Sequence, residues 1–151
     1  MSLQDQLLAE MNKAAKARDR IKLSTIRLIR SAIKNKEIEK RKPLEDEEIL
    51  KVISSMIRQR GESIQLFRKG GREDLVKKEE AELMILQSFL PEQLSEEQIK
   101  KLIDEVLKET EATTFKDMGK VMRTLMPKIA GRADGAKVNQ MVREKLSNLG
   151  G

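Results

Sequence analysis

Apolar residues in this chain recur three and four positions apart nearly from end to end, and no segment alternates apolar and polar residues two by two. That spacing is the period of one helix face, whereas a half-buried strand needs a period of two. The expected fold class is therefore all-α, with an N-terminal helical bundle over residues 1–90 and a small three-helix C-terminal domain over residues 95–149. Pro43, Pro91, Pro127 and the pair Gly70-Gly71 supply the breaks, because proline disfavours helical geometry in the residue before it and glycine ends helices readily.

Taken in order, Ser2 is placed to cap a first helix whose Leu3, Leu7, Leu8, Met11, Ala14 and Ala15 face inward. Asp19 starts a second, with Leu23, Ile26, Ile29, Ile33 and the stem of Lys36 on its inner side, ending at Lys40-Arg41-Lys42-Pro43. The acidic run Glu45-Asp46-Glu47-Glu48 suits the first turn of a third helix, where negative charge meets the helix dipole. Its stripe runs from Ile49 through Val52, Ile53, Met56, Ile57 and Ile64 to Phe67, and Lys69-Gly70-Gly71 stops it. A fourth helix spans about Arg72 to Leu90, and Pro91-Glu92-Gln93-Leu94 marks the domain boundary. Ser95 with Gln98 fits a capping box for the fifth, and Thr114 with Asp117 offers one for the sixth, which Met126-Pro127 is expected to close. Asp134 caps the last helix, whose Val138, Met141, Val142 and Leu146 point inward.

Composition narrows the chemistry. There is no Cys and no His, so disulfides, thiol catalysis, the Ser-His-Asp triad and the usual zinc sites are excluded. Asp, Glu and Lys remain, but none stands in a recognisable catalytic motif; no catalytic residue, metal ligand or cofactor is expected. Glu79, Glu80 and Glu82 have the chemistry to hold a hard cation, yet such runs ordinarily cover a solvated face. Arg68-Lys69-Gly70-Gly71-Arg72 lacks the phosphate-loop pattern and follows a helix, so it reads as a turn. The start, MSLQDQLLAEM, does not read as a signal peptide, and no apolar run reaches membrane length. A cytoplasmic protein with no membrane partner and no small-molecule substrate is the expectation.

Charge is placed unevenly. Residues 1–42 carry 12 Lys/Arg against 5 Asp/Glu, residues 43–115 carry 11 against 17, and residues 116–151 carry 8 against 3. The densest excess falls between Thr114 and Leu146, where eight basic residues meet three acids across two short helices and a glycine-bearing elbow, Gly131-Arg132-Ala133-Asp134-Gly135. Such a surface suits phosphate contact better than any reaction. Lys120 and Arg123, one turn apart, have the spacing to clamp a phosphate, although a solvated face explains them equally well. Gly119 costs its helix about 1 kcal/mol relative to alanine, and a tightly packed neighbouring helix is the expected reason. Scarce aromatics, three Phe with no Trp or Tyr, argue against recognising single strands by base stacking and leave shape and backbone contact with folded RNA.

Several runs together resemble the YqeY family of small bacterial proteins: Lys36-Glu37-Ile38-Glu39, Phe67 to Leu75 (FRKGGREDL), Phe89-Leu90-Pro91-Glu92-Gln93-Leu94, Lys116 to Met122 (KDMGKVM) and Leu125 to Gly135 (LMPKIAGRADG). The resemblance runs along nearly the whole chain. It implies a C-terminal domain similar to the tail of the B subunit of the glutamyl/aspartyl-tRNA amidotransferase, which helps engage tRNA. Carried over residue by residue, it makes Lys120, Arg123, Lys128, Arg132 and Lys137 the candidates for RNA contact. It implies tRNA, or an enzyme that charges or amidates tRNA, as partner. A label of carbon–nitrogen ligase with glutamine as amido donor would be inherited through this tail, since the nucleotide, metal and ammonia machinery has no counterpart in these residues. A non-catalytic tRNA-binding adaptor is thus the first reading, with a DNA-reading helix-turn-helix as its weaker variant. A module binding an acidic protein partner without RNA is the alternative, and an enzyme comes last.

Overall fold

A computed structural model describes residues 2–150. Among them the chain forms seven α-helices: α1 (Leu3–Ala17), α2 (Arg20–Lys40), α3 (Asp46–Lys69), α4 (Glu73–Ser88), α5 (Glu96–Thr110), α6 (Met118–Ile129) and α7 (Gly135–Gly150). A single 3-10 turn, Phe115–Asp117, leads into α6. No strand occurs among the described residues, and no helix there is long and apolar enough to cross a membrane. The chain divides into two compact units, one through Leu90 and one from Pro91.

The first unit is built by α1–α4. Leu3 and Leu7 of α1, Ile26, Ile29 and Ile33 of α2, Leu44 before α3, Ile49 and Ile53 of α3, and Leu86 of α4 share one core. Local signals start the helices as their chemistry requires. The Ser2 hydroxyl accepts the Asp5 N–H at 3.1 Å, and the Asp19 carboxylate accepts the Lys22 N–H at 3.1 Å. Gly71, at φ 72°, takes the left-handed conformation that turns α3 back into α4. Three inward expectations are corrected. Leu8 is exposed because the opposite stripe of α1, Leu3-Leu7-Ala14, is the one that meets α2. Ala15 is exposed as well, and Lys36 sends its ammonium to Glu39 at 3.6 Å instead of packing its stem.

Glu79 and Glu82 do not lie on a solvated face. Both approach Arg60 across the α3–α4 contact, at 3.3 and 2.9 Å from its Nε, and Glu82 is buried. Neither Arg60 Nε nor Glu79 Oε2 makes an aligned hydrogen bond, so charge more than directed bonding holds this trio. Glu80 turns outward to Arg68 at 2.7 Å.

The second unit is built by α5, α6 and α7 around Ile99, Ile103, Val106, Leu107, Val121, Leu125, Ile129, Val138, Val142 and Leu146. Met118, Met122, Met126 and Met141 pack on its margin, as unbranched side chains do where helices leave irregular gaps. Ser95 and Gln98 form the expected capping box: the hydroxyl accepts the Gln98 N–H at 3.2 Å and the amide oxygen accepts the Ser95 N–H at 2.9 Å. Pro127 does not close α6 as expected. The helix runs through it to Ile129. The proline stands in the last turn with its ring exposed, so it forfeits one hydrogen bond without breaking the packed face formed by Leu125 and Ile129.

Candidate functional site

The geometry of the basic stretch begins with Asp117. Its carboxylate accepts the N–H groups of Thr113 at 2.8 Å and Thr114 at 3.1 Å, closing the chain into the 3-10 turn before α6. These bonds, Thr113's first, hold the Asp117 carboxyl below its ordinary range, and the charge of Lys120 adds to the effect. The turn sets the rotation of α6. With Val121, Leu125 and Ile129 fully inward, Lys116, Gly119, Lys120, Arg123 and Pro127 face outward and are exposed.

Gly119 does not serve tight helix packing. A Cβ built there meets nothing within 4 Å, and its φ is not positive. The cost of about 1 kcal/mol that glycine imposes in a helix is therefore offset by no internal contact.

The elbow between α6 and α7 is anchored, not free. Gly131 is buried and left-handed at φ 71°. Its carbonyl accepts Gln93 Nε2 at 2.7 Å, while the Arg132 carbonyl accepts the Leu94 N–H at 2.8 Å. Arg132 Nε donates back to the Glu92 carbonyl at 3.1 Å. Residues 92–94 are thereby stitched onto the elbow. Asp134 then caps α7, accepting the Ala136 N–H at 3.1 Å.

The five candidate cations consequently divide. Lys120 and Arg123 lie one turn apart on the outer face of α6, exposed, with no ion-pair partner among the described residues. Lys137 is likewise exposed and unpaired, but it stands on α7. Lys128 reaches Glu109 of α5 at 3.2 Å, and the half-buried Arg132 is used by the elbow. Lys116, one of the eight basic residues of the stretch but not one of the five candidates, is exposed as well, in the 3-10 turn just before Lys120 and Arg123. Sequence reasoning passed over a trough of about 580 Å³ between α1 and α2, where Arg27, Arg30 and Lys34, with Glu37 beside them, rim an apolar floor of Leu7, Met11 and Ile33. No group of three or more His, Cys, Asp or Glu that could hold a metal ion occurs among the described residues.

Comparison with known proteins places this architecture. The model of the family described as Yqey-like protein matches residues 4–146. Among curated relatives, the "Altered inheritance of mitochondria protein 41, mitochondrial" of Pyrenophora tritici-repentis is 32% identical over 142 residues, covering 92% of this chain and 78% of that protein. Its namesake in Eremothecium gossypii is 42% identical over 85 residues, covering 56% of this chain and 46% of the relative. The Saccharomyces cerevisiae namesake (strain YJM789) is 37% identical over 106 residues, with 65% and 57% covered. The chain thus spans only about half the length of some of the curated relatives it matches. Their names also overturn the expected cytoplasmic location, since these relatives are mitochondrial proteins by name. The N-terminal residues misled because the lack of a signal-peptide pattern speaks only to secretion. With the family model matched from Gln4 to Leu146, nearly the whole chain, this protein belongs to the Yqey-like family.

Proposed function

We propose that this protein is a non-catalytic binding protein for tRNA, or for tRNA on an enzyme that charges or amidates it, with the outer face of α6 as its contact. The observation that supports the reading best is the pair Lys120 and Arg123, one turn apart, exposed and without an ion-pair partner among the described residues, with Lys116 exposed in the turn before them. Cations left free by the fold are available to phosphates, and each phosphate contact lowers affinity with rising salt by about 0.7–0.9 in log–log slope. Filter binding to unfractionated tRNA across a salt series tests the reading. Lys120→Ala with Arg123→Ala should weaken binding and flatten the slope by about 1.5, whereas Lys128→Ala should change both little. Unchanged affinity and slope in the double variant would place any RNA contact elsewhere. Given glutamine, ATP and misacylated tRNA, the protein should form no amidated product.

The α1–α2 trough favours a second reading, an acidic protein partner. Its rim, three cations against the single acid Glu37, over an apolar floor matches an amphipathic helix bearing carboxylates. Loss of a protein partner on changing Arg27, Arg30 and Lys34 to Ala, with no tRNA binding by the parent, would select it.

A further inference from the structure

The outer face of α6 and the turn that leads into it carry two features that the cations alone do not explain. One is Phe115. Of the three Phe, Phe67 and Phe89 are half-buried, Phe89 against the first unit's core, while Phe115 is 52% exposed. The ring is not on a loose loop, because the Asp117 carboxylate fixes the turn that carries it through the Thr113 and Thr114 N–H groups. The other is Gly119, one turn further on, where the helix presents bare backbone to open space although an alanine would fit.

Gly119 and Arg123 follow one turn apart on the outer side of α6, Lys120 stands beside Gly119, and Phe115 and Lys116 are exposed in the 3-10 turn that runs directly into the helix, so together they line one ridge of turn and helix. An aromatic face, a gap without side chain and a cation therefore succeed one another along the chain within nine residues. From this we infer that the ridge is an RNA-docking site in which Phe115 receives one unstacked base, Gly119 lets the sugar-phosphate chain approach the helix backbone, and Lys120 and Arg123 hold the flanking phosphates. The inference rests on the RNA reading above and adds to it. It turns a contact read from backbone charge into one that requires an unpaired base. Charge favours RNA over a protein as occupant, since the ring and the gap are bordered by Lys116, Lys120 and Arg123, and the acid within the stretch, Asp117, is half-buried and already bonded to backbone. Scarcity of aromatics does not oppose the assignment, because one ring fixed outward is enough for one base.

The test uses the full chain with two probes, unfractionated tRNA and a blunt RNA duplex without loops. Base–aromatic stacking corresponds to roughly a tenfold change in affinity or more. Phe115→Ala should weaken tRNA binding about tenfold and leave duplex binding unchanged, while Phe115→Trp should restore it. Gly119→Leu should match or exceed the parent's thermal midpoint, because leucine suits a helix better than glycine, and yet bind tRNA about tenfold more weakly. If Phe115→Ala and Gly119→Leu bind tRNA like the parent while Lys120→Ala with Arg123→Ala does not, the stacking site is wrong and the RNA reading survives. Equal losses on tRNA and duplex would show that the ring only supports the surface, and would also overturn the site. No tRNA binding by the parent overturns both, and points instead to a protein covering the ridge.

Discussion

Asp117 and Arg132 sit in the same basic stretch and show how little a side chain's charge says about its task. Asp117 spends its carboxylate on two backbone N–H groups, and its titration should be visible in stability. The carboxyl is held below its ordinary range in the fold, so the stabilisation is present above the unfolded value of about 3.9 and disappears as pH falls through the lower folded value. Asp117→Ala should therefore lower the thermal midpoint at pH 7, and the gap to the parent should narrow steadily below about pH 4. A gap that stays constant down to pH 2 would show that the loss lies in packing, not in the ionised cap. Arg132 looks in the sequence like a partner for phosphate, but its Nε is committed to the Glu92 carbonyl. Nothing near it in the chain discloses that, because the acceptor lies forty residues earlier.

Between α3 and α4, Arg60 stands against two carboxylates, and this trio makes the helix pair sensitive to loss of one member. Removing one partner from a buried ion pair leaves an uncompensated charge, which costs about 3–5 kcal/mol in a fully buried site. The Arg60 side chain keeps 20% of its exposure and Glu82 8%, so Arg60→Ala should cost less, about 2–3 kcal/mol in urea unfolding. Arg60→Leu combined with Glu79→Leu and Glu82→Leu should recover much of that loss, since apolar replacements often match a buried ion group and no carboxylate is then left unpaired. If the triple variant is no better than Arg60→Ala, packing around the trio rather than its charge accounts for the effect. The helices themselves were legible in the sequence because their signals are local: Ser2 and Ser95 meet N–H groups three residues on, and the apolar stripes follow the helical period. Glu82 and Pro127 were not. The burial of Glu82 depends on an arginine of another helix, and Pro127 stands inside the last turn of α6, with only Lys128 and Ile129 beyond it.

Charge and connectivity come together in the chain as a whole. Its net charge of +6 conceals an acidic middle between two basic ends, and the fold uses the cations of the C-terminal end unevenly. Lys128, Lys145 and Arg132 find partners at Glu109, Asp104 and the Glu92 carbonyl, whereas Lys120, Arg123 and Lys137 form no ion pair among the described residues. Which cations stay available was therefore unreadable without the partners' positions. The same partners bear on where the second unit begins. Residues 92–94 supply the Leu94 N–H, the Gln93 amide and the Glu92 carbonyl to the elbow. At about 1 kcal/mol net for each such bond, a fragment of residues 91–151 should unfold in urea cooperatively and be about 2–3 kcal/mol more stable than one of residues 95–151. Equal stability would mean that these bonds merely replace solvation. That stitching escaped the expected boundary at residue 95 because Pro91-Glu92-Gln93-Leu94 has the composition of a linker and shows no period of its own.

The Asp46 carboxylate, in the first turn of α3, accepts the N–H of Leu3, the first residue of α1, at 3.1 Å. First-turn amides of a helix have no donor role within it and ordinarily trade their hydrogens with solvent freely. Here that donor is tied to a residue beyond the whole of α2. Deuterium uptake at Leu3 should then follow the opening of α3 instead of the fraying of α1, so that the two ends of the bundle's first half register a single opening event. Asp46→Ala should release the Leu3 amide to rapid uptake while leaving the amides of Ile49 and Ile53 as slow as before.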